Sequence, residues 1–489
     1  MTRTDPLLGR LADLALAAPA RPVARARARS AARRSLLDAL GCHLLALGRP
    51  ACRRVLATAA VAPTPGGVPV PGTGWRLGPV DAAFALAAGV RWLDFNDTWL
   101  AAEWGHPSDT VGGLWATADA IGRGLLPGPR RAQTVGGLLD AMTLAYEVQG
   151  RFQLSLALNR LGLDHVLLVR LATAVAATRQ LGGGRAAIEA AAAHALLDGG
   201  ALRAYRQAPN VGPRKSWAAG DASSRGLRLA LLVLADPTQY PSAVSDPDHG
   251  FEQVVLRGGR LRLPPAGPAP VVERVLYKVR WPVEFHAQTA VEAAVRLHPV
   301  VRGRAHAVTR VECWTQEAGL RIIAKTGPLR NPADRDHCLR YAVAVALLRG
   351  GLGADDYEAR AAADPRIDRL RARTTVAEDP AFTRAYRDPQ RRAVANAVRV
   401  HFEGGTATER VAILYPEGHP RRRREAEPLL WAKFQGAVTG RYAPAAAARI
   451  LRLCADPARL DATTVCRLGD LLAADRPWAH ASRAREARA

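Results

Sequence analysis

The sequence predicts a mainly α-helical fold with a large all-helical domain and a smaller α+β domain. Hydrophobic residues make up 48% of the chain but aromatic residues only 6%, so alanine supplies much of the apolar fraction and favours closely packed helices. Helical patterns continue to about residue 240, and strand-like alternation begins only after the Pro/Gly cluster at residues 264–268. We therefore expect a helical domain over residues 1–268 and an α+β domain over residues 269–425. Residues 426–489 are again helical and should pack back on the first domain.

The first domain contains several helices with recognisable start signals. An amphipathic helix around residues 11–20 comes first, and residues 54–75 are a Pro/Gly-rich surface connector. Proline at a first turn and Ser or Asp at a cap position mark the later starts. These helices run from Gly78-Pro79 to Leu93, from Ser108-Asp109 to Gly122, from Asp164 to Gly182, and from Asp221 to Leu234.

The second domain mixes strands with helices. Alternation of apolar and polar residues predicts strands at Val271–Arg280, His306–Thr315, Ala393–Phe402 and Thr406–Leu414. The last two flank Gly404-Gly405, which is typical of a hairpin. Helical patterns at Ala287–Leu297 and Asp334–Leu348 lie between the strands.

The net charge of +24 is a property shared with proteins that bind nucleic acid or anionic membranes. Only four of the 68 basic residues are lysines, however, and the arginines are spread along the whole chain. This distribution favours a compositional bias over a basic face selected for phosphate. We expect no nucleic-acid partner, and a nucleic-acid-binding protein is the distant alternative.

The cysteines and the apolar segments indicate the cellular compartment. The six cysteines are scattered without any C-x-x-C spacing, which is typical of a reducing environment. The apolar N-terminal stretch is interrupted by Asp13, which argues against a signal peptide. No apolar run is long enough to span a bilayer. We therefore expect a cytoplasmic protein without a membrane partner.

The segment Leu93–Asp109 is the most informative polar stretch. It places carboxylates, a hydroxyl, an amide and His106 between two helical patterns, and its two tryptophans indicate partial burial. Buried carboxylates need partners, and His106 is a candidate. Asp94 and Thr98 are four residues apart, so they share a face if the preceding helix extends that far. A local hydrogen bond that closes the helix end is the alternative.

Three histidines and one lysine lie at predicted helix starts: His106, His165, His286 and Lys215. His337 has the same position before a further helix, where a surface cap is the alternative. Free N–H groups and the helix dipole suit such positions to carboxylate or phosphate, and they disfavour a protonated imidazole. Each residue alone is more simply a cap or a core residue. Together they predict one anion-binding cleft.

Metal binding is not indicated. His106 could form a ligand set with Asp94 and Asp109, but no H-x₃-H or H-E-x-x-H spacing supports one. The scattered cysteines argue against a zinc ribbon or an iron–sulfur cluster. We therefore expect no metal ion and no other cofactor.

Five stretches of the chain resemble the MmgE/PrpD family, and specifically its 2-methylcitrate dehydratase branch. They are Leu93–Asp109, Asn159–Val169, Arg214–Asp221, Glu284–Ala290 and Gly327–Cys338. The similarity spans nearly the whole chain, down to Gly418-His419 and the four arginines that follow. It implies a helical domain with an α+β lid, a homodimer, and an active site between the two domains.

The resemblance also implies an activity. Members of this branch are hydro-lyases that remove water from 2-methylcitrate without a cofactor and give 2-methyl-cis-aconitate, in the methylcitrate cycle of propionate catabolism. Hydration of cis-aconitate is an expected side activity, and another tricarboxylate lyase activity such as cis-aconitate decarboxylation is the alternative. By correspondence with the related cis-aconitate decarboxylase, the active-site positions here are Asp94, Thr98, His106, His165, Lys215, His286 and Tyr341.

Dehydration of a tricarboxylate needs a base for the proton α to a carboxylate, an acid for the leaving hydroxide, and cations for the carboxylates. We expect His106 to be the base, oriented by Asp94, and His165 to assist the leaving hydroxyl, although these two roles could be exchanged. Tyr341 would donate a hydrogen bond from the lid. The substrate-binding side chains are expected to be Lys215, His286, Thr98 and His337.

Overall fold

The structure, a computed structural model, describes residues 4–17, 21–207 and 209–474. Helices dominate the first part of the chain, as the sequence predicts. The longer ones are Pro6–Leu16, Pro22–Ala46, Pro50–Leu56, Pro79–Arg91, Val111–Gly122, Val135–Ser155, Val166–Gln180, Arg185–Leu197 and Arg214–Ala235. The short helices Phe251–Val254 and Val271–Arg274 follow. Strands Val68–Pro69 and Arg76–Leu77 form a small antiparallel pair.

Small residues allow the helices of this part to approach one another closely. A Cβ atom added at Gly112 would lie 2.4 Å from the backbone oxygen of Ala83, which belongs to helix Pro79–Arg91. A Cβ atom at Gly220 would meet the same helix at 2.7 Å. The helices that contain these glycines are therefore packed almost backbone to backbone against it. This packing fixes both ends of the polar segment that the sequence singles out.

A four-stranded sheet forms the centre of the second part. Across the sheet the strands are Thr374–Glu378, Val308–Thr315, Asn396–Phe402 and Val411–Ile413. The first two are parallel and the other neighbours are antiparallel. Gly404 and Gly405 both have φ near +80° in the connection between the last two strands, which confirms the predicted hairpin.

Helices cover this sheet and continue beyond it. Helices Gln288–Val301 and Leu339–Arg349 pack against each other, and the first of them also packs on the sheet. Shorter helices are Glu317–Ile323, Pro332–Arg335, Ala359–Ala362, Pro365–Ala372 and Pro380–Arg387. The C-terminal helices are Arg423–Thr439, Pro444–Cys454, Pro457–Ala462 and Val465–Leu472.

Buried apolar side chains form two main cores. The first contains residues between Leu7 and Val279 and again between Ala426 and Leu472, so the C-terminal helices close back on it. The second lies between Val283 and Ile413. Within the described ranges, no helix combines the length and apolarity needed to cross a lipid bilayer.

The predicted strand Val271–Arg280 is wrong. Residues Val271–Arg274 form a helical turn whose first N–H donates to Glu147 Oε1 at 2.6 Å, and only Leu276 makes a bridge, to Thr98. Most apolar residues of this segment are buried in the first, helical core. Their alternation therefore reflects packing against helices, which sequence periodicity does not distinguish from packing in a sheet.

Other predicted boundaries also shift. The helix expected to open at Asp221 begins at Arg214, and the first helix is Pro6–Leu16, earlier than expected. The predicted helix Asp334–Leu348 is interrupted at residues 336–338, because Asp336 turns inward to a buried partner described below. The connector at residues 54–75 contains a short helical turn and one strand as well as loop.

Candidate active site

A cavity of about 180 Å³ lies where the two cores meet. Polar side chains from both parts of the chain form its wall. From the first core come Arg91, Asp94, Thr98, His106, His165, Arg203, Arg206 and Lys278, and from the second core come Glu284, His286, Arg321, Lys325 and His337. The structure thus brings the four singled-out histidines together around one space.

Asp94 enters this cavity from an irregular loop. Its backbone is in the left-handed region, with φ +49°, which non-glycine residues adopt rarely. Helix Pro79–Arg91 has already ended, so the extension that a shared helix face of Asp94 and Thr98 requires does not occur. Thr98 is instead held by its bridge to Leu276. The loop therefore presents both side chains without the regular spacing of a helix.

The Asp94 carboxylate is surrounded by positive charge. It accepts a hydrogen bond from Arg91, and Lys278 Nζ lies 2.9 Å from Oδ1. His106 Nε2 and His337 Nε2 lie 3.9 and 4.0 Å from its oxygens. Burial opposes ionisation, but the charges of Arg91 and Lys278 outweigh it and hold the pKa of Asp94 well below its usual range. Asp94 is therefore a fixed anion.

The His106 imidazole has a defined orientation. Its Nδ1 lies 2.6 Å from the backbone oxygen of Asp97. Since a carbonyl only accepts, Nδ1 carries the proton and Nε2 keeps its lone pair. Burial, reinforced by the Arg91 charge, lowers the pKa of His106 well below its usual value. The geometry therefore presents a neutral imidazole whose basic nitrogen lies beside Asp94.

Asp97 anchors the loop that carries His106. Its carboxylate accepts hydrogen bonds from Ser108 Oγ at 2.6 Å, from the Ser108 N–H at 3.1 Å and from the Tyr146 hydroxyl at 2.7 Å. Burial raises the pKa of Asp97 to about 7 although these bonds oppose the change. The fully buried Tyr146 thus ties the loop to helix Val135–Ser155.

His165 lies against His106 in a different electrostatic setting. The two ring centroids are 5.5 Å apart. Its Nδ1 lies 3.2 Å from Asp164 Oδ1, and its Nε2 lies 3.8 Å from Asp109 Oδ2. Burial lowers the pKa of His165, but both carboxylates act against the change. A proton is therefore held more readily by His165 than by His106.

His286 is fixed from both nitrogens on the lid side. Nδ1 donates to Glu284 Oε1 at 2.8 Å, and Nε2 lies 3.0 Å from the Tyr386 hydroxyl. Burial opposes ionisation of Glu284, but the electrostatic interaction and the hydrogen bond with His286 outweigh it and lower the pKa of the carboxyl to about 2. The Trp104 ring lies 4.8 Å from the imidazole in an edge-on arrangement.

Lys215 lies behind the cavity wall, outside the residues that line it. Its Nζ donates to both carboxylate oxygens of Asp336 at 2.6 Å. His337 Nδ1 in turn donates to Asp336 Oδ1 at 2.5 Å, which leaves His337 Nε2 directed toward Asp94. Lys215 therefore influences the cavity indirectly: it holds Asp336, and Asp336 holds the His337 side chain that lines the cavity.

Two family descriptions match the chain over most of its length. The MmgE/PrpD N-terminal domain matches residues 9–264, and the MmgE/PrpD C-terminal domain matches residues 281–456. The chain belongs to the MmgE/PrpD family. The second match extends into helices Arg423–Thr439 and Pro444–Cys454, which pack in the first core.

Relatives of this MmgE/PrpD chain are similar over nearly their full length. A 2-methylcitrate dehydratase of Cupriavidus necator is 49% identical over 446 residues, which are 90% of this chain and 92% of the relative. A 2-methylcitrate dehydratase of Escherichia coli K12 is 48% identical over 440 residues, 89% and 91% of the two chains. A mitochondrial 2-methylcitrate dehydratase of Yarrowia lipolytica is 41% identical over 425 residues, 86% and 82% of the two chains.

Tyr341, like Lys215, is expected at the site from the family resemblance but does not line the cavity. It is buried in helix Leu339–Arg349, and its hydroxyl donates to the backbone oxygen of Asp356 at 2.5 Å. Its ring stacks on Tyr357 with the centroids 6.1 Å apart. In this arrangement it supports the lid and does not line the cavity.

Sequence reasoning missed most of the cations of this MmgE/PrpD site. No sequence signal distinguishes Arg91, Arg203 and Arg206, because the chain is so rich in arginine. Lys278 differs from them because lysine is rare here. Lys278 is fully buried against Asp94. The rarity of lysine in this chain is the sequence signal that distinguishes it.

Metal ligands are not evident. In the described part of the chain, no group of three or more His, Cys, Asp or Glu side chains is arranged to hold a metal ion. The cavity instead combines neutral imidazoles with guanidinium and ammonium groups. Such an arrangement suits acid–base chemistry on a substrate that carries several negative charges.

Proposed function

We propose that this chain is a hydro-lyase that dehydrates 2-methylcitrate to 2-methyl-cis-aconitate in propionate catabolism. The observation that carries the proposal is the orientation of His106, whose basic Nε2 belongs to a buried neutral imidazole surrounded by cations. The relatives named 2-methylcitrate dehydratase add support over about nine-tenths of the chain. A tricarboxylate matches the excess of positive side chains in the wall.

His106 is the base in this proposal. Its Nε2 takes the proton from the carbon that bears the methyl group and a carboxylate. The electron pair of that C–H bond forms the new double bond, and the C–O bond to the hydroxyl breaks. Asp94 does not orient His106, because the Asp97 carbonyl does so. Asp94 instead holds Arg91 and Lys278 beside the base, where their charges stabilise the developing enolate.

His165 is the acid that protonates the leaving hydroxide. Its two neighbouring carboxylates, Asp164 and Asp109, favour the protonated form, whereas Arg91 and Lys278 disfavour that form at His106. The two histidines therefore differ in proton affinity in the direction that the reaction needs.

The cations of the cavity wall also bind the carboxylates of the substrate. Lys278, Arg206 and Arg91 line the side of the first core, and Arg321 and Lys325 line the lid side. Thr98 Oγ1 adds a hydroxyl group to the wall, whereas both ring nitrogens of His286 are already engaged by Glu284 and Tyr386. Lys215 does not contact substrate in this arrangement and acts by positioning His337.

The test is the ultraviolet absorbance of the conjugated double bond, measured with 2-methylcitrate and citrate side by side, each with and without EDTA. Turnover should be fastest with 2-methylcitrate and should persist in EDTA. Release of carbon dioxide from cis-aconitate, without turnover of 2-methylcitrate, would instead identify a decarboxylase. Loss of activity in EDTA that a divalent metal restores would contradict the metal-free mechanism.

A cytoplasmic homodimer completes the proposal. All six cysteines are free, which supports a reducing compartment. The dimer rests on the family resemblance alone. Sedimentation velocity on the purified protein would give the mass of the assembly, and a species of one chain would contradict a dimer.

A further inference from the structure

A second cavity of about 270 Å³ adjoins the candidate active site. The two cavities share Trp104, Asn159 and Arg321 in their walls. We call the second one the outer arginine cavity, because four guanidinium groups line it. They belong to Arg160, Arg321, Arg387 and Arg392.

Positive charge in the outer arginine cavity is only partly compensated. Among the described residues, Glu317 is the one carboxylate in its wall, and it lies 3.0 Å from Arg321 and 3.8 Å from Arg387. Arg160 and Arg392 take part in none of the ion pairs found among the described residues. Four cations thus face one anion in a concave wall, where charges of one sign concentrate an oppositely charged solute.

Arg321 and Trp104 separate the two spaces. The Arg321 guanidinium lies 5.7 Å from the centroid of the Trp104 ring, and the same ring lies 4.8 Å from His286 inside the candidate active site. The Arg321 side chain is 49% exposed and that of Arg387 is 67% exposed. The outer arginine cavity therefore lies on the solvent side of this partition.

We propose that the outer arginine cavity is a second anion subsite, which binds the polycarboxylate substrate before it passes Trp104 and Arg321 into the active site. This inference rests on the proposed function. Arg321 belongs to both walls, so a carboxylate bound outside can keep one cationic contact while it moves inward. An inorganic anion such as phosphate shares the same chemistry, and the experiment distinguishes the two sources.

The binding test uses propane-1,2,3-tricarboxylate, which lacks the hydroxyl and cannot be dehydrated. Calorimetry at low ionic strength should show a tight site and a weaker, salt-sensitive site. The double variant Arg160→Gln/Arg387→Gln should lose only the weaker site. Arg384→Gln is the matched control, because Arg384 is exposed on the same helix as Arg387 but does not line the cavity. Loss of the weaker site in the control as well would overturn the proposal, because it would indicate unspecific binding.

The kinetic test compares the same variants at low and high salt. The double variant should lower kcat/KM with 2-methylcitrate on the order of three- to tenfold at low ionic strength, and the difference should shrink as salt screens the charges. Arg384→Gln should retain the parent value. If phosphate displaces the weaker ligand but the double variant leaves kcat/KM unchanged, the cavity is a site for inorganic anions and the entry role is wrong. If the tricarboxylate binds at one site only, or not at all, this inference fails while the proposed function stands. Absence of 2-methylcitrate turnover by the parent chain would contradict the proposed function itself.

Discussion

The two nitrogens of His106 have different environments, and this difference assigns its role. Nδ1 faces a backbone carbonyl and Nε2 faces the cavity. We expect His106→Ala to lower kcat by about two to four powers of ten, with KM changed much less, because the base acts mainly in the transition state. Steady-state kinetics on variants shown to be folded by circular dichroism measures this. A near-normal kcat would transfer the role of base to His165.

Asp94 provides a test of the same assignment through pH. A neutral His106 is required, so kcat/KM should fall as the pH drops through its pKa, which lies below the ordinary value. The Asp94 charge raises that pKa, against burial and Arg91. Asp94→Asn should therefore move the acid limb to lower pH, by about one unit, in addition to slowing the reaction. The parent and variant profiles are measured with the same substrate, so ionisation of the substrate affects both equally and does not contribute to the shift between them. An unmoved limb would show that His106 is not the titrating base.

The sequence indicated most of the titratable site residues but not how they are held. Helix starts identified His106, His165, His286 and His337, because capping signals are local in sequence. The left-handed turn at Asp94 carries no local signal such as glycine, and Lys278, which contacts its carboxylate, comes from a distant part of the chain.

At the scale of elements, Lys215 links helix Arg214–Ala235 to the segment before helix Leu339–Arg349. Lys215→Met would leave the Asp336 carboxylate buried without its ammonium partner, and we expect it to lower the free energy of unfolding by about 3 kcal/mol. The double variant Lys215→Met/Asp336→Asn should be destabilised much less, because it buries no unpaired charge. Urea denaturation measures both. Equal losses in the two variants would contradict a paired buried charge.

Lys433 joins a C-terminal helix to the two segments that carry the site. Its Nζ donates to Asp38 Oδ1 and to the Phe95 carbonyl at 2.7 Å, and to the Lys278 carbonyl at 3.1 Å. It is therefore a positioning residue. We expect Lys433→Met to lower kcat/KM by about tenfold, since hydrogen bonds from a charged group contribute about 1.5–3 kcal/mol.

The control for Lys433 is the double variant Lys433→Met/Asp38→Asn. It removes the unpaired buried carboxylate and should recover stability in urea denaturation. The loss of kcat/KM should remain, because the two carbonyls are still unsupported. Recovery of both quantities together would show that Lys433 serves stability alone.

The predicted secondary structure was right where the sequence signal is local and wrong where tertiary packing determines the conformation. The antiparallel pair flanking Gly404-Gly405 was predicted because the turn signal is local, although its second strand covers only Val411–Ile413. Val271–Arg280 alternates like a strand, yet its apolar residues pack into a helical core. Helix Arg214–Ala235 begins before its apparent cap, because the cap signal at Asp221 is only a surface residue inside the helix.

At the scale of the whole molecule, buried histidines should make stability depend on pH. Burial lowers the pKa of His43 to about 4, against a hydrogen bond with the Pro71 carbonyl. The unfolded chain takes up this proton near pH 6.5, so His43 lowers the free energy of unfolding as the pH falls from 6.5 to 4, by about 1.4 kcal/mol per pH unit. Asp97 and Glu103, whose pKa values burial raises to about 7, act in the opposite direction.

His43→Gln isolates this contribution from the opposing carboxylates. As the pH falls from 6.5 to 4, the free energy of unfolding of the variant should rise relative to that of the parent chain, whatever the sign of the parent's total slope. Denaturant unfolding at several pH values gives both slopes. Identical slopes would show that His43 is not buried as a neutral group.

The class of fold was predictable because composition and periodicity are properties of the whole chain. Alanine-rich packing and the late onset of alternation indicated two parts, and the structure has two main hydrophobic cores. The cavity between them could not be derived from spacing, because its cations come from segments far apart in sequence.

The burial of the four lysines determines where a lysine-specific protease can cut this protein. The side chains of Lys215, Lys278 and Lys433 are at most 4% exposed, whereas that of Lys325 is 21% exposed in a loop after helix Glu317–Ile323. Cleavage requires the chain to open locally around the cut bond. A nick after Lys325 therefore reports a small local opening of this loop, and cuts after the other three lysines report larger openings that expose the buried core. One digestion thus separates two kinds of opening that spectroscopy would average.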